Sequence, residues 1–399
     1  MTSALNILMI VPSLSYSHIS FNSKIADILS SKGHKVLMLI PDIDSSVPSP
    51  SGNYTLLRED VGIAPGELTS TLWRNPNPYE DSSPLNYKIF LKLMRVSSVF
   101  VRACEALAND NNLMDFLREQ KFNVGMLEQY DSCGFGIFRT IGLNSFVWLS
   151  ATGAYAEQPR TIGIDYPSSY VPNLFAPLSD KMSFAERIEN WLISTATRLV
   201  FSHTRARESR IFWNTGDLKF GEDLYNTATN SDAVIVNSLP AADFAMPTSN
   251  KVAYIGGITV QRRLQHLDTF WKEIADSATK EFVLVTFGSI ARTVDMTPEM
   301  QSNFFTAFSR FPEITFIVKY ESANCTLPIP PNVELTQWIP QAGLMSRPSK
   351  LQGNNHSWWM EQHTGIADSR QTNDIDAIIC RPRQEFESDG GQGCCSHLG

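Results

Sequence analysis

Cysteine is sparse and unpatterned in this chain of 399 residues. The six present (Cys104, Cys133, Cys325, Cys380, Cys394, Cys395) form no CxxC pair and no ladder of even spacing. Neither a zinc ribbon nor a disulfide framework is indicated. Basic charge is not in excess: the net charge is -8 and the sequence pI about 5.5. That sets aside a partner held by phosphate neutralisation, nucleic acid above all, because such footprints are basic. No run approaches the roughly 20 apolar residues that cross a bilayer. The opening MTSALNILMIVPSL has no basic n-region and no long apolar h-region, so it reads as a strand rather than a signal peptide. GxGxxG is absent after the first apolar run and GxxxxGK[ST] is absent throughout, which argues against a dinucleotide dehydrogenase and a P-loop enzyme.

What is present describes an ordinary globular protein, with 43% hydrophobic and 19% charged residues. At roughly 150 residues per domain the length suggests two or three domains, and the pattern favours two. Residues 5–11 form a continuous apolar run of strand length ending at Pro12. Phe21, Ile25, Ile28 and Leu29 then share a helical face, Gly33 stands where a left-handed cap would end that helix, and residues 36–40 form another apolar run. This is a parallel βαβ unit, whose ligands bind beyond the carboxyl ends of the strands.

The alternation continues with a helix over 96–119, strands at 124–127 and 146–149, helices over 184–210 and 220–226, and a strand at 233–237. Residues 158–177, rich in Pro, Ser and Tyr, read as a long loop, and residues 240–257, punctuated by Pro and Gly, suit a linker. Beyond them a second α/β series begins: strand 282–287, helix 298–311, strand 314–319 and a short strand at 333–335. Two sequons, Asn53-Tyr54-Thr55 and Asn324-Cys325-Thr326, matter only in a secretory context.

Three side chains stand out for chemistry. His18 lies on the loop after the first strand, beside the start of the next helix. An imidazole, titrating near ~6.5 when free, can take a proton from a hydroxyl if a carboxylate fixes its tautomer. Glu128 ends the strand at 124–127 and so emerges at the same sheet edge, with Asp131 three residues on. By position alone His18 is equally a solvated loop histidine, and either carboxylate is more often a helix cap or solvated acid than a partner to it.

Several segments taken together go further. They are the His18 loop, FNVGMLEQ, PSSYVP at 167–172, SDAVIVNS at 231–238, AYIGGI at 253–258, VTFGS at 285–289 and LTQWIPQAGLM at 335–345. In this order they resemble the animal UDP-glycosyltransferases, the glucuronosyltransferase-like enzymes, over about residues 4–348. The resemblance implies an α/β, GT-B fold: two Rossmann-like doubly wound domains facing a cleft, here with the second incomplete. It assigns residues 1–240 to the acceptor, 241–280 to a linker and 281–348 to part of the UDP-sugar domain. It also implies His18 as general base, Glu128 as the carboxylate (usually Asp) that orients it, with Asp131 in reserve, and inversion by direct displacement.

Ser289 would bind the donor's diphosphate, Trp338 would stack on uracil and Gln341 would read its polar edge. UDP-sugar is then a co-substrate, no cofactor or metal is expected, and the acceptor is a small lipophilic hydroxyl compound. Membrane association in the endoplasmic reticulum follows by family analogy, and self-association is left open.

The family signature should continue into a HGG(W/x)NS loop that holds the pyrophosphate. The chain instead reads LQGNNHSWWMEQHTGIADS. Back-translating Gln352 to His363 and reading one base later permits KAIITHGGWNS. The Gly-Gly-Trp part is forced by the codons of Trp358, Trp359, Met360 and the first base of Glu361. The same frame permits LFADHAKNSK over residues 378–387. A one-base frame change between about Ser346 and Leu351 is therefore expected, which makes residues 349–399 an unselected, disordered tail without strand or helix pattern.

Overall fold

A computed structural model describes residues 4–68, 79, 87–128, 130–153, 160–164, 166–173, 175–176, 178–241, 243–259, 267–276, 282–288, 291–340, 344 and 378–380. The chain divides into two compact units, the first reaching Thr259 and the second taking most of the remaining chain.

The first unit is built on strands β1 (Asn6–Ile10), β2 (Lys35–Asp42), β3 (Thr55–Asp60), β4 (Val124–Glu128), β5 (Phe146–Ser150), β6 (Ala233–Val236) and β7 (Val252–Tyr254). They lie in the order β3-β2-β1-β4-β5-β6-β7, and every pairing is parallel. The apolar run of β1 is continuous because both faces are covered: Leu8 and Ile10 join one core cluster, Ile7 and Met9 the other. Helix α1 (Tyr16–Ser31) follows β1 and ends at Lys32, with Gly33 at φ 91° just beyond, in the left-handed region a cap requires.

Helices α2 (Tyr87–Asn109) and α3 (Asn111–Glu119) replace the single helix expected over 96–119. The break falls at Asp110, whose side chain accepts from Leu113 N and so starts a new helix. Helices α4 (Cys133–Thr140), α5 (Phe184–Thr215) and α6 (Leu224–Ala228) complete the unit. Helix α5 opens on a capping box, with Ser183 and Glu186 satisfying each other's backbone N–H groups. Helices α4 and α5 pack closely at Gly136, where an added Cβ would fall 2.0 Å from the Phe212 ring. Gly136→Ala should therefore lower stability by about 1–3 kcal/mol, read as a fall in the urea midpoint at unchanged slope.

Further sequence expectations need correction. The stretch assigned to a linker, 241–280, contributes β7 to the first sheet, with Val252 beside Val234, and also holds helix α7 (Thr269–Asp276). A three-residue parallel strand is specified by its neighbour's backbone rather than by its own pattern, so Pro and Gly around it masked it. Cysteine spacing gave no hint of a crosslink, yet Cys104 of α2 and Cys133 of α4 form a disulfide. The pairing depends on tertiary proximity, which spacing does not record.

The second unit carries β8 (Phe282–Val285), helix α8 (Pro298–Ser309), β9 (Thr315–Lys319) and β10 (Val333–Thr336), close to the expected positions. The sheet order is β10-β9-β8-β11, with the first three parallel. Strand β11 (Ile378–Cys380) lies in the stretch expected to carry no strand, and it pairs antiparallel to β8. An uncovered edge of β8 offers a row of unpaired N–H and C=O groups to any extended segment. In a doubly wound sheet the next parallel strand would occupy that place.

Candidate active site

Strands β1 and β4 are neighbours, while the chain leaves β1 toward β2 on its other side. This is the point where strand order reverses and where a doubly wound sheet leaves a crevice at its carboxyl edge. His18 lies there, in the first turn of α1 rather than on the loop as expected, because the helix begins at Tyr16 after Ser15. Ser13 fixes the approach to that helix by accepting from the backbone N–H groups of Ile43 and Asp44 beyond β2.

Glu128 is the last residue of β4 and 2% exposed; His18 is 6% exposed. His18 Nδ1 stands 3.2 Å from Glu128 Oε1, which also accepts from Ala151 N at 3.2 Å, just past β5. Asn22 Nδ2 donates to Glu128 Oε2, and also to His18 O at 2.9 Å one helical turn back. The extra methylene of Glu relative to Asp thus does not prevent contact. A carboxylate held by these donors directs the Nδ1–H tautomer and leaves the Nε2 lone pair to accept a proton. The Tyr130 hydroxyl lies within hydrogen-bond reach of both ring nitrogens, 2.7 Å from Nδ1, with the two ring centroids 4.9 Å apart.

Asp131 is placed elsewhere. Its Oδ1 accepts from Cys133 N at 3.1 Å, in the turn that starts α4, and no described bond joins it to His18. Burial pushes its carboxyl up to about 7 against that backbone bond. Glu208 of α5, fully buried, accepts from Ser132 N at 3.0 Å. Its carboxyl is raised well above the ordinary value, first by burial and then by repulsion from Asp131. The folded state therefore holds protons that the unfolded chain releases between about pH 4 and 7, and stability falls as pH rises through that window. Asp131→Asn should remove on the order of 2–4 kcal/mol of that decline. Melting temperatures of both proteins from pH 4 to 8 would show it, and parallel curves would refute it.

Of the donor residues inferred from sequence, Ser289 and Gln341 lie outside the described residues. Trp338 follows β10 and is 60% exposed, too open for a core tryptophan. The Lys319 ammonium sits 5.6 Å from its ring centroid and donates to Gly288 O at 2.6 Å, which ties the ends of β8 and β9 to the indole. Among the described residues no group of three or more His, Cys, Asp or Glu is placed to hold a metal. Asn22, Tyr130 and Glu208 had no sequence signature. Only the i, i+4 spacing of His18 and Asn22 on one helix could have suggested the first.

The first unit is a doubly wound α/β unit with a buried histidine–carboxylate pair at its switch point. The strand order alone carries that fold assignment. The family model for UDP-glucoronosyl and UDP-glucosyl transferase matches residues 6–360, and the chain belongs to this family.

Human UDP-glucuronosyltransferase 3A1 is 26% identical over 354 residues, 85% of this chain and 64% of its own. A Caenorhabditis elegans relative is 25% identical over 378 residues, 87% of this chain and 67% of its own. Mouse 2-hydroxyacylsphingosine 1-beta-galactosyltransferase is 23% identical over 348 residues, 86% of this chain and 61% of its own. The chain thus spans about two thirds of the length of the curated relatives it matches. Among solved structures, the glycotransferase of kitacinnamycin aligns at a TM-score of 0.49 and 12% identity, over 86% of this chain and 74% of that one.

Proposed function

We propose that this chain carries the acceptor-activating half of a UDP-sugar-dependent transfer to a hydroxyl of a small lipophilic compound. The observation that supports it most directly is the buried His18–Glu128 contact at the switch point. His18 Nε2 takes the hydroxyl proton, and Glu128, held by Asn22 and Ala151 N, stabilises the resulting imidazolium. The oxygen attacks the anomeric carbon, UDP leaves with the bonding pair, and configuration inverts. Ser289, Trp338 and Gln341 serve the donor: diphosphate, uracil face and uracil edge. The sugar stays open, since relatives are named for both glucuronosyl and galactosyl transfer.

A second reading is favoured by the antiparallel β11 beside β8, where the pyrophosphate-binding segment should supply a parallel strand. With that segment out of frame, the chain as written keeps the acceptor site without a complete donor site and acts as a small-molecule binder or a partner of intact relatives. Release of UDP from UDP-glucose and UDP-glucuronate decides between the two. It should be measured for this chain and for one with the frame restored after Met345. Release by the restored chain alone supports the frame change; release by neither refutes the transferase reading.

The Cys104–Cys133 disulfide favours an oxidising compartment, consistent with the lumen of the endoplasmic reticulum. Among the described residues no helix is long and apolar enough to cross a membrane.

A further inference from the structure

Tyr130 belongs neither to the His18–Glu128 pair nor to any segment of the family signature, yet it makes the closest approach to the imidazole. It lies on the turn between β4 and α4, two residues beyond Glu128, with its ring tilted 57° to the His18 ring. Its ring is stacked on Phe100 of α2, with the planes 9° apart and centroids at 6.1 Å. The phenolic oxygen reaches both imidazole nitrogens, but Nδ1–H is already directed at Glu128 Oε1. One ring lone pair then remains, on Nε2, and the Tyr130 O–H is the donor that fills it.

An acceptor hydroxyl must offer its O–H to that same lone pair before the proton can move. Two donors cannot share it. We propose that Tyr130 occupies the acceptor-hydroxyl position at His18, so that every acceptor must displace its phenol from Nε2 before it enters productively. This rests on the assignment of His18 as the base. The displaced ring has a route: Tyr130 sits on a turn rather than in the sheet, and parallel stacking lets it slide along Phe100 with little loss of contact. The surrender of one hydrogen bond to a buried imidazole is then a fixed cost that every acceptor meets.

Tyr130→Phe keeps the ring and the Phe100 stack and removes only the hydroxyl. In the full chain labelled with 15N-histidine, the His18 Nε2 resonance should shift in the variant while the Nδ1–H resonance stays. Titration with 1-naphthol, followed on the same resonance, should give a Kd about three- to tenfold lower than in the unaltered chain, the effect of one internal hydrogen bond no longer competing. An unchanged Nε2 resonance would overturn the proposal, as would equal Kd values in the two proteins. Neither readout requires turnover. A His18→Ala variant of the frame-restored chain that keeps its activity would count against the base assignment while leaving the occupancy of Nε2 measurable by itself.

Discussion

His18→Ala, introduced into the chain with its reading frame restored, should lower kcat for sugar transfer by about 10³–10⁴-fold with little change in the KM for UDP-sugar. No other described imidazole stands at the switch point, and water in its place would have to accept the proton unaided. Glu128→Gln should cost about 10²–10⁴-fold. The amide keeps the size of the side chain, and its oxygen still accepts from His18 Nδ1–H or Ala151 N. It loses the charge that stabilises the imidazolium, and its NH₂ then faces the Asn22 NH₂ or the imidazole. Asn22→Ala acts one step further out and should cost less than Glu128→Gln. Steady-state kinetics from pH 5.5 to 9 would test the order. Equal losses for all three variants would mean a collapsed site rather than an acid–base pair, and full activity in His18→Ala would remove the mechanism.

Removing the Cys104–Cys133 disulfide should have the largest effect on stability. The bond closes a loop with a sequence separation of 29, for which chain entropy gives about 3–4 kcal/mol. It joins α2 to the first residue of α4, directly beyond the turn that carries Tyr130 and Asp131. A double Cys104→Ala, Cys133→Ala variant should therefore unfold at a lower urea concentration and expose that turn to protease. The wild-type chain in strong reductant should match it. Identical midpoints in oxidising and reducing buffer would show that the bond contributes nothing. Both sulfurs are buried, which shields the bond in the folded state, so reduction should follow unfolding rather than precede it.

The extent to which the sequence anticipated the fold differs between the two units. In the first, the continuous apolar runs of β1, β2 and β4 and the helical spacing in α1 specify buried parallel strands with a crossover, while the order of the seven strands is a tertiary feature. In the second, β8, α8, β9 and β10 lie within a few residues of the expected positions. The errors share a cause. Strand β7 and the break between α2 and α3 are decided by a neighbouring backbone and by one Asp110 cap, features too small to alter a periodicity. Strand β11 was not foreseen because its pairing answers an open edge, not a pattern of its own.

The site divides along the same line. Sequence alone indicated that His18 and Glu128 would emerge at one edge of a parallel sheet, since Glu128 ends a buried strand and His18 lies in the loop-to-helix passage after another. It could not choose between Glu128 and Asp131, which stand three residues apart. The tertiary structure brought Glu128 against the imidazole. It turned Asp131 to the start of α4, because the chain leaves the sheet after Glu128 and the later side chains take their direction from the turn. Tyr130, Asn22 and the disulfide belong wholly to that second category. Their partners lie 29 to 112 residues away in sequence, and local pattern carries no record of contacts made over such separations.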